Sequence, residues 1–255
     1  MSPARRHQQL LELLAARNQL TVDELAAHFH VSDDTIRRDL QVLEDRKMVL
    51  RTHGGVVSTG FLAHRETTFS MRGKSNTVAK ARIAKAAADL ISDGETLLIN
   101  GGSTTFAFAA NLGARRELTV VTNNLAIAPI LPPEAIEDIY IIGGQYRVNL
   151  SSTVGSVKLS SGEISVDTAI MGVTGISAKR GLSTTVLEEA SMLAAMIAAA
   201  GRTIVLADAS KFDRNGFGHI APLNAIDILV TEIPPSDEMT NALIDAEVEI
   251  IIATE

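Results

Sequence analysis

One stretch near the amino terminus carries side chains that suit binding to DNA. Ile36 and Leu40 stand one helical turn apart and are predicted to face a core. Ser32, Thr35 and Arg38 then lie toward the other side, near the start of the helix. Hydroxyls bond phosphates or base edges, and arginine bonds phosphate or guanine. The pattern is therefore typical of a recognition helix in the major groove of DNA.

The charges of this stretch also fit the solvated face of a small three-helix domain. Asp33, Asp34 and Asp39 are consistent with that alternative, and charge by itself does not decide. The order of a capping box, a short turn, an arginine-bearing helix and a Gly-Gly pair favours DNA binding. The predicted DNA-binding residues are Thr21, Ser32, Thr35, Arg37, Arg38, Arg51, His53, Gly54 and Gly55.

A second stretch suits binding to a phosphate group. Residues 98–105 end a predicted strand, open a helix and read Leu-Ile-Asn-Gly-Gly-Ser-Thr-Thr. Glycines let the backbone approach a ligand closely, and exposed amides and hydroxyls at such a turn suit an anion. An ordinary glycine-rich turn is the alternative, and this motif alone leaves the two interpretations equally open.

Further polar side chains follow other predicted strands, and the carboxyl ends of parallel strands meet along one edge of a sheet. Lys211 would supply a cation for the phosphate, with Asp208 orienting it or bonding a sugar hydroxyl. Singly, each such residue is more often a cap or a solvated charge, so the prediction depends on their shared position. The predicted effector-binding residues are Asn100, Gly102, Ser103, Thr104, Thr105, Asn123, Asp167, Gly172, Asp208 and Lys211.

The elements that must position the first stretch form a winged helix-turn-helix. Residues 3–17 have apolar positions at helical spacing, and Thr21 to Glu24 is a capping box at the start of a second helix. Two short capped helices joined by a brief turn predict a helix-turn-helix. Two β-prone runs around Gly54-Gly55 predict a hairpin wing.

Beyond residue 77 the chain alternates strands with helices, which predicts an α/β domain with a mostly parallel sheet. The predicted strands are Thr96–Ile99, Leu118–Thr122, Asp138–Ile142, Thr168–Met171, Thr203–Ala207, Ile226–Val230 and Glu249–Ile252. The predicted helices are Thr77–Ile91, Thr104–Leu112, Asn124–Leu131, Val186–Ala200 and Asp237–Ala246. We therefore expect a DNA-binding domain at 1–57, a linker at 58–76 and a ligand-sensing domain at 77–255.

Composition narrows the classes of protein. The net charge of −7 lies entirely beyond residue 57, since residues 1–57 hold 8 basic and 8 acidic side chains, so a basic face is still possible there. The chain has no cysteine, which excludes disulfides and thiolate zinc sites. The six histidines form no typical ligand set, so we expect no metal and no cofactor. The sequence has no apolar run long enough to span a membrane, and we expect a cytoplasmic location.

Residues 31–44, from Val-Ser to Leu-Glu, and then Arg51-Thr52-His53-Gly54-Gly55 resemble the DNA-binding signature of the DeoR family of repressors. The resemblance extends to about residue 232. It implies a sensor domain similar in fold to ribose-5-phosphate isomerase, double-stranded operator DNA and a phosphorylated sugar or polyol as partners, and a dimer or tetramer. It also equates the Gly-Ser-Thr-Thr turn with the family's phosphate loop.

Two residues depart from the family's usual pattern. Asn100 stands where the family commonly has aspartate, which would remove a carboxylate from the pocket, and Leu193 stands where lysine is common. A sugar-phosphate isomerase is the competing class, but it needs a positioned acid–base pair. No second carboxylate closely follows Asp167, so we expect binding without turnover. An activator of the same architecture is the other alternative.

Overall fold

The computed structural model describes residues 3–17, 19–45, 49–52, 55–58, 68–155 and 164–254. The chain forms two compact units, Met1–Thr67 and Thr68–Glu255. The boundary between them lies within the stretch 58–76 that the sequence predicts as a linker. A short helix at Phe69–Lys74 in this stretch belongs to the second unit.

The first unit has the predicted order of three helices and a hairpin, with one additional short strand. Its elements are α1 (Pro3–Arg17), β1 (Gln19–Thr21), α2 (Val22–Phe29), α3 (Asp33–Asp45), β2 (Val49–Thr52) and β3 (Gly55–Ser58). Strand β3 pairs antiparallel with both β1 and β2, so the sheet order is β1-β3-β2. The winged helix-turn-helix is thereby confirmed.

Local capping and one apolar stripe explain the helices of this unit. The Thr21 side chain accepts a hydrogen bond from the Glu24 amide at 3.1 Å, and Glu24 accepts one from the Thr21 amide at 2.7 Å. His30 ends α2 in the left-handed conformation, with φ 52°. Ile36, Leu40 and other apolar residues of the helices and strands are fully buried in one core. The left-handed His30 ends α2, and a capped start then begins α3, so the two helices are separate.

The second unit is built on a seven-stranded sheet in which every pairing is parallel. Its order is β15-β14-β12-β9-β4-β5-β6. The strands are β4 (Thr96–Ile99), β5 (Leu118–Thr122), β6 (Ile136–Ile141), β9 (Val166–Gly172), β12 (Ala200–Leu206), β14 (Ile228–Thr231) and β15 (Glu249–Ile252). The helices are α4 (Phe69–Lys74), α5 (Thr77–Ala88), α6 (Ser103–Ala109), α7 (Leu187–Ala198) and α8 (Asp237–Asp245).

Helices cover both faces of this sheet, so its strands are apolar on both sides. Leu97 and Ile99 of β4 belong to the core cluster that contains residues of α5 and α6. Leu98, between them, belongs to the opposite cluster, with residues of α7 and α8. The predicted parallel α/β architecture is therefore confirmed, and the carboxyl ends of its strands share one edge.

Five short strands of the second unit were not predicted from the sequence, and one predicted helix is wrong. The strands are β7 (Gln145–Arg147), β8 (Ser152–Val154), β10 (Gly175–Ser177), β11 (Gly181–Thr184) and β13 (Gly218–Ala221), which form two small antiparallel sheets. Three or four residues are too few to show a period of two. Residues 124–131 hold only a 3₁₀ turn at Ala128–Ile130, because Pro129 lacks an amide hydrogen for a longer helix.

No helix in the described ranges is long and apolar enough to span a membrane.

Candidate DNA-binding surface and ligand pocket

Helix α3 exposes two arginines, Arg38 opposite its buried stripe and Arg37 beside that stripe. Ile36 is fully buried, whereas Arg37 and Arg38 are exposed. Ser32 and Thr35 sit at the amino-terminal end of the helix, with their hydroxyl oxygens 3.0 Å apart. Exposed hydroxyls and guanidinium groups can bond phosphates and base edges. The structure therefore exposes Ser32, Arg37 and Arg38, with Thr35 half-buried beside Ser32.

Asp39 is not part of that exposed face. Asp39 is 6% exposed, and its Oδ2 accepts a hydrogen bond from Arg6 Nε. Its Oδ1 accepts one from Arg6 Nη2 at 3.1 Å and lies 2.8 Å from His7 Nε2. Burial alone would raise the pKa of the Asp39 carboxyl, but hydrogen bonds and charge from Arg6 and His7 together lower it. The ion pair fixes α3 against α1, so the solvated role considered for Asp39 is wrong.

The wing is described only in part. Gly55 begins β3 opposite Thr21, and a Cβ added to Gly55 would lie 2.5 Å from the Leu20 carbonyl oxygen. Glycine is thus required there for close strand approach, whatever it does toward DNA. Arg51 belongs to β2, but its side chain, like all of His53 and Gly54, lies outside the described residues. Thr21 is exposed, with its hydroxyl engaged in the α2 capping box.

In the second unit, the turn after β4 is shaped by close packing against β8. A Cβ on Gly101 would lie 2.0 Å from the Ser152 Oγ and 2.9 Å from its Cβ, so only glycine fits. The Gly101 amide donates to Asn123 Oδ1 at 2.9 Å, and Asn123 Nδ2 donates to the Thr153 carbonyl at 2.8 Å. Asn123 therefore links the turn to β8, and both polar atoms of its side-chain amide already have hydrogen-bond partners.

Asn100 and Thr105 are also used to hold the turn. Asn100 Nδ2 donates to the Gly172 carbonyl and Asn100 Oδ1 accepts from the Gly172 amide, each at 2.8 Å. This reciprocal pair joins the ends of β4 and β9, and it needs a side chain that both donates and accepts. Thr105 Oγ1 donates to the Asn100 carbonyl at 2.7 Å. An ionised aspartate at position 100 could not donate to Gly172, so the asparagine there has a structural reason.

A cavity lies at this edge of the sheet. Five of the ten predicted effector-binding residues line it, namely Gly102, Ser103, Thr104, Gly172 and Lys211. The rest of its lining consists of Arg72, Gly101, Val173, Thr174, Thr184, Glu189, Leu193 and Leu206. The structure thus brings the glycine-rich turn and Lys211 together, as strands with a common carboxyl edge require.

Asp208 and Asp167 lie outside this lining. Asp208 is 1% exposed, and its Oδ1 accepts from Asn76 Nδ2 and from the Ser210 amide, both at 3.0 Å. Asp167 stands near the start of β9, at the opposite end of the strand, and accepts from the Thr96 amide at 2.8 Å. Placing Asp167 in the pocket is therefore wrong, because Asp167 lies at the amino end of β9 whereas the cavity lies at the carboxyl ends of the strands.

Arg72, Thr184 and Glu189 are cavity residues that the predicted set of site residues leaves out. Glu189 is 8% exposed and accepts from the Thr184 hydroxyl at 2.6 Å. Burial raises the pKa of the Glu189 carboxyl, and the Thr184 hydrogen bond opposes this shift. Arg72 follows no strand and lies in the stretch interpreted as a linker, so no sequence signal marked it.

The cavity has one apolar wall and no sign of a metal centre. Leu193, at a position where the resembling family often has lysine, is 2% exposed and lines the cavity. Within the described parts of the chain, no group of three or more histidine or carboxylate side chains could hold a metal ion. The basic side chains in its lining are Arg72 and Lys211.

Both units match family models. The model described as "DeoR-like helix-turn-helix domain" matches residues 6–60, and "DeoR C terminal sensor domain" matches residues 75–233. The chain is 30% identical over 251 residues to the glycerol-3-phosphate regulon repressor of Escherichia coli, covering 98% of this chain and 99% of that protein. It is 33% identical to the transcriptional repressor GlcR of Bacillus subtilis, covering 95% and 93%.

Among solved structures, the chain partly matches ribose 5-phosphate isomerase A from Methanocaldococcus jannaschii. That match has a TM-score of 0.39 and 19% identity, and it covers 54% of this chain and 55% of the isomerase.

Proposed function

The chain belongs to the DeoR family of transcriptional regulators, and on that basis we propose that it represses a sugar or polyol catabolic operon and leaves its operator when a phosphorylated sugar or polyol binds. The observation that supports the DNA-binding part is the exposure of Arg37 and Arg38 on α3, a helix whose Ile36 and Leu40 are fully buried. The chain is a regulator and not an enzyme, as its family and the names of its relatives indicate.

In this proposal α3 lies in the major groove and the hairpin of β2 and β3 contacts the adjacent backbone. A single module of this size buries little surface, so we propose that a homo-oligomer binds paired half-sites in double-stranded DNA. The protein acts in the cytoplasm, where such an operator lies. The Escherichia coli relative is named for a glycerol-3-phosphate regulon, which supports the regulon of a phosphorylated polyol as the target.

Arg38→Ala is expected to weaken specific DNA binding by about ten- to a hundred-fold, corresponding to about 1–3 kcal/mol for a lost base or phosphate contact. The DNA is first selected from sheared genomic fragments with the full-length protein, and affinity is then measured by gel-shift titration. Lys85→Ala, which removes an exposed positive charge from the second unit, is the matched control. Equal affinities for both variants would remove Arg38 from the DNA-binding surface.

The ligand half of the proposal concerns the cavity at the glycine-rich turn. Ser103 and Thr104 line it beside the amides of that turn, and Lys211 supplies a cation. Burial lowers the pKa of the Lys211 ammonium, while the nearby Asp208 carboxylate opposes that change. A phosphate group would stabilise the charged form of this lysine, because an opposite charge at close range favours ionisation.

A thermal-shift screen of phosphorylated sugars and polyols, with their unphosphorylated counterparts, tests this half. A phosphorylated compound is expected to raise the Tm of the protein, since a ligand that binds only the folded state stabilises it. The double variant Ser103→Ala/Thr104→Ala should lose most of that rise, whereas Ser191→Ala, at an exposed position on α7, should keep it. Stabilisation by unphosphorylated compounds alone would contradict a phosphate site.

A further inference from the structure

Two basic side chains face the cavity, and the carboxyl groups of Glu189 and Asp208 lie near them. Arg72 and Lys211 both line it, and burial lowers the pKa of each, with the Arg72 charge further lowering that of Lys211. Glu189 is the acidic residue in the same lining, and burial raises the pKa of its carboxyl. Two cations held together in a partly buried space attract an anion.

Arg72 also has an unused donor. Its Nε is buried and has no hydrogen-bond partner among the described residues. A buried donor left without a partner costs about 1–3 kcal/mol, so a structure normally provides one. A guanidinium group offers parallel N–H donors that match two oxygens of a phosphate. The unpaired Nε therefore points to a ligand oxygen as its partner.

Helix α4, which carries Arg72, has few ties to the rest of the unit. None of its residues is buried as a whole, and Arg72 is half-buried with its Nε atom covered. Phe69 packs edge-on against Phe106 with ring centroids 5.4 Å apart, and the Phe69 amide donates to the Asn149 carbonyl at 2.7 Å. Lys80 Nζ donates to the Arg72 carbonyl at 2.5 Å, which caps the end of the helix. A short helix with so little buried surface opens more easily than the sheet beneath it.

The cavity is open to solvent on one side, and the space inside it is small, about 30 Å³. A ligand much larger than a phosphate group therefore extends out of the cavity or displaces part of its wall. The turn after β4 is fixed by Asn100 and Asn123, so α4 is the wall that can move most easily.

Building on the proposed phosphorylated effector, we propose that Arg72 and Lys211 bind its phosphate group together, and that this contact repositions α4. The helix is the first one of the second unit, and it follows the DNA-binding unit directly in the chain. Phosphate binding at Arg72 is thus transmitted to the segment that leads to the DNA-binding unit. The other walls of the cavity contact the ligand and keep their positions when it binds.

Hydrogen–deuterium exchange on the full-length protein, with inorganic phosphate as the probe, tests this inference. Phosphate should raise the Tm and change the exchange of the α4 amides, with little change in β4 and β9. Arg72→Gln should weaken phosphate binding by about ten- to a hundred-fold, as expected for a lost charge-assisted hydrogen bond. It should also abolish the change in α4. Lys74→Ala, an exposed position on the same helix, is the control and should behave like the natural protein.

The outcomes separate this inference from the proposed function. If Arg72→Gln keeps full phosphate affinity while Ser103→Ala/Thr104→Ala loses it, the role of Arg72 and α4 is overturned and the phosphate site stands. If phosphate binds tightly but α4 exchange does not change, the transmission step is overturned. If neither phosphate nor any phosphorylated compound stabilises the natural protein, both proposals fail. Should Arg72→Gln fold poorly, Arg72→Lys keeps the charge and should still lose part of the affinity.

Discussion

Asp39→Ala is expected to lower the free energy of unfolding of the first unit by about 3–5 kcal/mol, the cost of breaking a buried ion pair from one side. The variant leaves the Arg6 guanidinium buried beside α3 without its carboxylate, and His7 loses the same partner. Because this contact fixes α3 to α1, DNA affinity should fall along with stability. Urea unfolding of the full-length protein, followed by circular dichroism, measures the loss.

The control for this prediction is Asp34→Ala, which removes an exposed carboxylate from the first turn of the same helix. It should cost well under about 1 kcal/mol, the range for an exposed charge near a helix end. Similar losses for the two variants would mean that the Arg6–Asp39 contact does not stabilise the fold.

The ion pair also predicts a dependence on pH. The pKa of the Asp39 carboxyl is lowered on folding, so its contribution is fully present above the unfolded value near 4. That contribution is lost as the pH falls through the lower folded value. Asp39→Asn should therefore show a smaller loss of stability between neutral pH and pH values below about 4 than the natural protein. Identical acid profiles would contradict the predicted direction.

Gly101→Ala is expected to destabilise the second unit by about 1–3 kcal/mol, the usual cost of overpacking a filled site. The added Cβ would lie 2.0 Å from Ser152 Oγ and 2.9 Å from Ser152 Cβ, so the turn or β8 must shift. Displacement of the turn also moves Ser103 and Thr104, and ligand binding should weaken. Thermal unfolding and the thermal-shift response to inorganic phosphate measure the two effects.

A second change can rescue this variant. Ser152→Gly removes both atoms that the new Cβ would meet, so Gly101→Ala/Ser152→Gly should regain part of the stability lost in Gly101→Ala. Gly113→Ala is the control, since its nearest neighbours would be Pro132 carbons at 3.8 Å. A double variant no more stable than Gly101→Ala would show that the contact with Ser152 is not the cause.

The sequence determined the first unit and the frame of the second. The Thr21–Glu24 capping box and the Ile36–Leu40 stripe depend on residues within one or two turns of each other, so local chemistry was enough to predict them. The strands at 96–99, 118–122 and 249–252 were predicted with their observed bounds, because short aliphatic runs between turn residues are typical of buried parallel strands.

Only the tertiary structure decided which polar residues meet. Asp39 reads as solvated in the sequence and is buried because Arg6, 33 residues away, packs against it. From the sequence, Asn100 was interpreted as the loss of a carboxylate, but its side chain hydrogen-bonds Gly172 and joins β4 to β9. Asp167 lies at the far end of its strand. Arg72 lines the cavity although it lies in a stretch whose sequence has no periodicity. Pairings between distant segments follow from how the sheet and its helices pack, and no local pattern encodes them.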